Sequence, residues 1–484
     1  MKKLNFIIKC GLALLLLSFY SCESWLNVTP SDRLSEEMLF NDREGFVKAL
    51  NGVYIELNTN ELYGRNLTAG ALDVMGQYYS VASSSHAFYN YGGLVYTGND
   101  EKALFDNMWQ KCYAVIACCN TIIEKCDENK AGLSPVWRGS IKGEALALRA
   151  MLHFDMLRLF GPLTSELDKE SIPYQTNSDQ TVTPLLSGSE VVGLILDDLK
   201  NAVGLLKDTD PYFMEEEFSD TDLNYRRFRM NYFAAKGLMA RVQLWGGDKE
   251  KAAATAKEVI AEGQAEGAEF FPFVTNSEAT SSNPDRVFYS EVLFGTYHSS
   301  REKLHEDLFA PTLESTSILT LAGTARRDDL YDNENDYRYS VWSTYNKNGT
   351  SVLYHRKFEK QDNVTASRQY MIPLIRMSEM YLIAVECCKL DEASVYLNTF
   401  RNARNCNSLA LTEDNRINIL ANEYKKEMLG EGQLFFFYKR QEMVNIPDGN
   451  QATGTKNVEL AKYVVPLPES ETDQRISSTD ISNE

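Results

Sequence analysis

Histidine, cysteine and positive charge are all scarce in this 484-residue chain, and each shortage removes a class of chemistry. The five histidines, His86, His153, His298, His305 and His355, form no HExxH and no His–Cys cluster. A zinc hydrolase centre therefore has no ligand set, and each ring is expected to be structural or exposed. The nine cysteines contain no CxxC pair, and Cys112, Cys119, Cys126, Cys387 and Cys388 fall in apolar helical patterns. There a free thiol packs as a small hydrophobe, so buried thiols are expected instead of a disulfide framework. Basic residues number 49 against 68 acidic ones, a formal net charge of -19, which argues against nucleic acid and anionic lipid headgroups as partners because phosphate binding needs a local basic excess. No GxSxG elbow, Walker loop or GxGxxG after a strand occurs. Beyond the N-terminus no segment reaches the roughly 18 consecutive apolar residues of a membrane span.

What is present is helical periodicity on a globular composition, 44% hydrophobic with only 13 Pro. Met377, Met380, Tyr381, Ala384, Val385 and Cys388 follow the i, i+3, i+4, i+7 pattern of one apolar face. Asp391 then opens a second helix carrying Ala393, Leu397, Phe400 and Ala403, so the two form a hairpin of tetratricopeptide-like size. Similar patterns predict helices at 42–57, 107–126, 138–160, 188–206, 230–245, 249–262 and 412–430. Helix pairs recur while the residues do not, as expected of a degenerate repeat whose units bury their apolar faces by stacking.

Two tracts, 61–100 and 264–370, are rich in Tyr, Ser, Asn, Gly and Thr and lack steady period. The second is too long for a plain loop, and Ser351–Phe358 and Tyr370–Ile375 are candidate strands. Insertions on a rigid scaffold are where binding residues sit. Aromatics crowd both tracts, and flat rings stack on the apolar faces of pyranose rings while Tyr keeps a polar tip in water. Tyr78, Tyr79, Tyr89, Tyr337, Tyr339 and Trp342 are therefore the candidate ligand-stacking residues, with Asn90, Asn346 and Arg338 near enough in sequence to bond hydroxyls. Asp332, Glu334 and Asp336 alternate as in a calcium loop, but Tyr337 stands where Gly is needed and Ser343 where the bidentate Glu is needed, so a solvated acidic turn is expected. No cofactor or metal is called for. A glycosidase carboxylate pair leaves no local spacing to find among the acids, so a helical glycoside-processing enzyme stays open as an alternative.

The N-terminus has a basic start (Lys2, Lys3), an apolar run from Leu12 to Leu17 and a small residue, Ser21, before Cys22. This is the layout of a signal peptide over 1–21. Its end resembles a bacterial lipoprotein box, which implies that Cys22 is acylated and heads a stalk over 22–37. The remaining chain, 38–484, is expected to be one domain enlarged by the two insertions. Across nearly the whole length, the order and spacing of several segments resemble the SusD/RagB family of outer-membrane nutrient-binding lipoproteins. These segments are Trp109-x3-Tyr113 with Asn120, then GEALALRAMLHFDMLRLFGPL (143–163), RMNYFAAKGLMARVQLWGGD (229–248) and IRMSEMYLIAVE (375–386). YLNTFRNAR (396–404), YKKEMLGEGQLFFFYKR (424–440) and YVVPLPESE (463–471) complete them. Leu434 and Phe437 depart from the Arg and Asp usual in the family near the last helix, and Cys387 and Cys388 replace small residues.

The resemblance implies a mainly α fold, a tetratricopeptide-like helical-repeat scaffold with irregular insertions containing short strands. It further implies a non-enzymatic, lipid-anchored protein of the outer membrane facing the cell exterior. Such a protein captures an oligosaccharide and delivers it to a partner SusC-like TonB-dependent transporter. A peptide-binding or structural lid subunit of such a transporter is the alternative. The acidic balance, taken with the Tyr-rich tracts, favours a neutral sugar as ligand.

Overall fold

The structure, a computed structural model, describes residues 36–473 and 475 apart from Gln180, Ala268 and Asp332. The expected signal peptide, Cys22 and most of the stalk lie outside the described residues. In chain order the principal elements are α1 (Arg43–Leu57), α2 (Asn99–Glu128), α3 (Pro135–Phe160), β1 (Glu170–Pro173), β2 (Leu185–Ser187), α4 (Gly188–Thr209), α5 (Tyr232–Trp245) and α6 (Lys249–Gly263). Then follow β3 (Val292–Tyr297), β4 (Trp342–Lys347), β5 (Thr350–His355), β6 (Met371–Arg376), α7 (Met377–Cys387), α8 (Leu390–Ala403), α9 (Arg416–Glu427) and α10 (Leu434–Arg440). The fold is mainly α.

Local chemistry starts and stops these helices. Asp42 caps α1 by accepting from the Gly45 N–H, and Ser134 caps α3 with Pro135 in the first turn. Ser187 and Glu190 close a capping box on α4. The helix expected at 107–126 begins eight residues earlier, at Asn99, where Asp100 and Glu101 suit the positive end of the helix dipole. Its first turns are too polar to show an apolar stripe. The helix expected over 412–430 is shorter, since Gly430 adopts φ +81° and ends the run.

Each helix from α2 to α8 packs on the next, which buries α3 and α7 on nearly all sides. Buried ion pairs tie the layers. Arg149 of α3 makes a bidentate pair with Asp198 of α4 at 2.7 Å and bonds Asn120 of α2 at 2.9 Å. Arg241 of α5 grips Glu379 of α7 through two nitrogens and donates to the Leu374 carbonyl at 2.8 Å. A charge buried without its partner is costly, so such pairs discriminate against shifted helix registers. No helix among the described residues is long and apolar enough to cross a membrane.

The second insertion is closed at its base by an antiparallel pair, β3 with β6, in which Tyr297 faces Met371 and Gly295 faces Pro373. Asn231, the cap of α5, donates to the Leu293 carbonyl at 2.7 Å and so pins this pair to the repeat scaffold. β4 and β5 form a hairpin of unbroken register from Trp342↔His355 to Lys347↔Thr350. At its tip Asn348 and Gly349 sit at φ +52° and +86°, the two left-handed residues that a tight hairpin turn requires. The seven described cysteines are unbridged; Cys112, Cys119, Cys126, Cys388 and Cys406 are buried as expected, Cys387 is half-buried and Cys118 is exposed.

Candidate functional site

The two insertions meet. Ser80 donates its N–H to the Thr320 carbonyl at 2.7 Å, the Ala87 N–H reaches Thr316 at 3.4 Å, and His86 Nε2 faces the Ile318 carbonyl at 3.3 Å. On its other side the 312–321 segment is held by the hairpin. Lys347 Nζ donates to the carbonyls of Thr312 (3.1 Å) and Leu313 (3.0 Å) and pairs with Glu314 (3.0 Å), while Thr320 Oγ1 donates to the Leu353 carbonyl at 2.6 Å.

Between these segments runs an open groove of about 850 Å³. Hydroxyl side chains (Ser80, Ser315, Thr320, Thr350, Ser351) and aliphatic ones (Leu313, Ile318, Leu321, Val352) line it, together with the charged Glu314 and Lys347. Its volume lies in the range of small-molecule sites. Other spaces carry less. A groove of about 650 Å³ is lined by Arg149 and Asp198, whose charges already satisfy each other. A cavity of about 30 Å³ among Arg158, Arg241 and Glu379 admits little more than water.

The aromatic candidates divide. Tyr79 is 1% exposed, Trp342 is 5% exposed and Tyr78 is also buried. They belong to one row of rings behind the groove wall. Tyr78 lies 6.0 Å from Tyr79, Tyr79 5.8 Å from Phe309, Phe309 4.8 Å from His355, and His355 5.3 Å from Trp342. As folded, these faces are covered by protein and offer no plane for a sugar. The reason is alternation. On β4, Trp342 points inward opposite His355, whereas Tyr345, opposite Val352, is 45% exposed. Tyr337 is half-buried on a satellite cluster with Val274, Ala279 and Phe288, and accepts from Asn276 at 2.9 Å. Tyr339 is half-buried under the Arg327 guanidinium, 4.7 Å from its ring centre. Tyr89, on the short helix Tyr89–Gly92, is 43% exposed.

The polar candidates divide likewise. Arg338 is buried, bonded to Asp336 at 2.7 Å, and so is withdrawn from any ligand. This also corrects the expected solvated acidic turn: Asp336 is a buried counter-ion, Glu334 is exposed, and Asp332 is outside the described residues. Asn90 donates to Glu101 at 3.2 Å, and Asn346 accepts from the Gly349 N–H at 2.7 Å inside the hairpin turn. The residues that line the groove were not apparent from residue type, since Ser and Thr abound. Asn348-Gly349 was the legible signal for the hairpin that presents Thr350, Ser351 and Val352.

Away from the groove lining, Asp73, on the short helix Ala71–Met75, ties the first insertion to the loop after α9. It accepts from the backbone N–H of Gly430 (2.6 Å) and Gly432 (2.9 Å) and from Tyr79 Oη (3.3 Å). Gly432 stands at φ +68°, and a Cβ there would lie 2.3 Å from the Leu67 carbonyl oxygen, so only glycine brings this loop against the first insertion. Burial pushes the Asp73 carboxyl up to about 7 against the pull of the two N–H donors. No group of His, Cys, Asp and Glu arranged to hold a metal ion occurs among the described residues.

Comparison with known proteins bears on the whole chain. A SusD-like family model described as "Starch-binding associating with outer membrane" matches residues 24–244, and the SusD family model, covering SusD and RagB, matches 283–476. The SusD-like protein P2 of Formosa agariphila is 22% identical, with 96% of each chain covered. Among solved structures, a SusD-like carbohydrate binding protein from Bacteroides vulgatus is similar with a TM-score of 0.69 at 20% identity, covering 89% of this chain and 96% of that one. A laminarin binding SusD-like protein gives 0.64 at 17% identity, covering 89% and 97%.

Proposed function

The chain belongs to the SusD/RagB family, and from that premise we propose that it is a cell-surface glycan-binding protein. It captures an oligosaccharide in the groove and delivers it to a partner SusC-like TonB-dependent transporter in the outer membrane. The observation that carries this reading is the groove itself. The second insertion, with Ser80 of the first, forms an open groove of about 850 Å³ lined by hydroxyl and aliphatic side chains, with Glu314 and Lys347 among them. A sugar chain has the complementary surface, hydroxyl edges around apolar ring faces. Tyr345, whose exposed ring stands across the strand pair from the groove residue Val352, is the stacking candidate beside it, and Tyr89 is the other candidate ring that remains accessible. The carbohydrate named for the related structures supports the same class.

The groove is tested by filling it. Ser351 is exposed on β5, so Ser351→Trp is expected to leave thermal stability unchanged and weaken retention of a bound oligosaccharide by about tenfold or more, a loss of roughly 1.4 kcal/mol. Calorimetry across a glycan panel that includes laminarin oligosaccharides provides the readout. Full binding by the folded variant would remove the groove as the site. The same incubations report on catalysis: the protein is expected to leave oligosaccharide length unchanged, and shortening would establish an enzyme.

We further propose that Cys22 carries the acyl chains that hold the protein at the outer membrane, facing outward. Cells fed labelled palmitate are expected to label the wild type and not Cys22→Ser. Label retained by the variant would sink the anchor assignment.

A further inference from the structure

Among the described residues that line the groove, Glu314 and Lys347 are the only charged ones, and they differ in what they leave free. An ammonium has three N–H donors. Lys347 uses all three, on the Thr312 carbonyl at 3.1 Å, the Leu313 carbonyl at 3.0 Å and Glu314 Oε1 at 3.0 Å. The hairpin tip therefore brings a cation to the groove whose bonding capacity is taken up within the wall.

Glu314 is the reverse. Lys347 holds one of its carboxylate oxygens, and the other, Oε2, has no partner among the described residues. The side chain is 79% exposed, yet its backbone is fixed: the Glu314 carbonyl accepts from the Ser317 N–H at 2.9 Å and the Ile318 N–H at 3.0 Å, which closes a turn. A free carboxylate oxygen thus stands at the groove, tethered through its twin to the end of β4. The other polar side chains of the lining are neutral. Thr320 gives its hydroxyl hydrogen to the Leu353 carbonyl at 2.6 Å and keeps only acceptor capacity, whereas Ser80, Ser315, Thr350 and Ser351 can donate or accept.

A sugar hydroxyl finds a complement in each of these groups and its strongest one at Glu314, because hydrogen bonds to an ionised acceptor are about twice as strong as neutral ones. A carboxylate or sulfate on a ligand has no hydrogen to offer at neutral pH. It meets like charge at Glu314 and no free donor on Lys347 to offset it. We propose that Glu314 is a ligand contact and the specificity-determining residue of the groove: its free oxygen accepts from sugar hydroxyls and turns away chains that bring a carboxylate or sulfate there. The assignment rests on the glycan-binding reading and deepens it. The net charge of -19 belongs to the whole surface, whereas Glu314 acts at one place in the groove.

The test compares neutral oligosaccharides with their own acidic forms. Calorimetry on the whole mature protein uses laminari-, cello-, malto-, manno- and galacto-oligosaccharides, each before and after oxidation of the primary hydroxyls to carboxylates. The wild type is expected to bind a neutral chain about fivefold or more tightly than its oxidised form, the effect of one like charge about 4 Å away in water. Glu314→Gln keeps an acceptor and loses the charge, so it is expected to bring the two affinities within about twofold, chiefly by gaining affinity for the oxidised chain. A gain of affinity cannot come from a loosened fold. Added salt is expected to narrow the wild-type gap and to leave that of Glu314→Gln in place. Glu314→Ala also removes the acceptor and is expected to weaken the neutral chain by about threefold or more.

Equal affinity for the two forms, tighter binding of the oxidised one, or a gap that persists in Glu314→Gln overturns the assignment and leaves the glycan-binding reading standing. A neutral-chain affinity untouched by Glu314→Ala overturns the contact in the same way. Full binding of both forms by Ser351→Trp, or binding of no glycan in either form, defeats the groove reading and this assignment together.

Discussion

Replacing Glu427 with Gln is expected to destabilise the protein by about 3 kcal/mol or more, the cost of removing one partner from a buried charge network. Glu427, at the end of α9, receives Arg404 through two bonds (3.0 and 2.7 Å), pairs with Arg338 at 3.2 Å and bonds Arg376. All four side chains are buried. Each arginine keeps another acid: Glu291 for Arg404, Glu431 for Arg376, and Asp336 for Arg338. The expected cost therefore sits at the lower end of the 3–5 kcal/mol range. The network spans α9, the 289–291 turn, the base of β6 and the 336–338 turn, so its loss loosens the attachment of the second insertion to the scaffold.

The pH dependence has a definite sign. Burial works to raise the Glu427 carboxyl, but Arg404 and Arg376 outweigh it and hold the group well below the usual carboxylate range. A group depressed in the folded state contributes stability above its unfolded value, near 4.3, and loses it as pH falls toward the folded one. Urea titrations are expected to show wild-type stability falling on acidification below about pH 5, and Glu427→Gln falling less steeply from a lower start. Asp73 acts oppositely: its contribution diminishes as pH rises from about 4 toward 7. Removing the exposed i,i+4 partner of Lys48 with Glu44→Gln is the control, expected to leave the midpoint in place. A Glu427→Gln midpoint within about 1 kcal/mol of wild type would show that the remaining acids suffice.

Trp342→Ala is expected to cost about 3–5 kcal/mol of stability, as for other buried aromatic truncations, and to leave ligand affinity of the folded fraction nearly unchanged. Trp342 lies within the ring row behind the groove, beside His355, itself fully buried with burial holding its imidazole neutral. Tyr345→Ala, three residues beyond the inward Trp342 and so on the opposite face of β4, removes an exposed ring, so binding is expected to weaken with no comparable stability loss. Denaturation midpoints and calorimetry on the same samples separate the two. Unchanged stability with lost binding in Trp342→Ala would instead make that ring a ligand contact.

The helices were legible because their signal is local. Periodicity, caps such as Ser187 with Glu190, and the Gly246-Gly247-Asp248 link are written within a few residues of one another. The two insertions were also legible as tracts, from composition. What escaped was the direction each side chain takes. Tyr79 reads as an open stacking ring until Phe309, from a distant part of the second insertion, packs against it, and Tyr78 until its hydroxyl turns inward to the Tyr424 carbonyl. Arg338 reads as a hydroxyl-binding group until Asp336, Glu423 and Glu427 surround it.

The amino-acid sequence by itself determined the helical-repeat scaffold, the family and the tracts that bear binding residues, because periodicity, motif order and composition are properties of neighbours along the chain. Only the tertiary structure decided which of those residues are left exposed and which are buried. The groove exists where the Ser80 N–H bonds the Thr320 carbonyl across the two insertions and the Thr320 hydroxyl bonds the Leu353 carbonyl of the hairpin. Burial and pairing belong to residues far apart in the chain, and no local pattern encodes them.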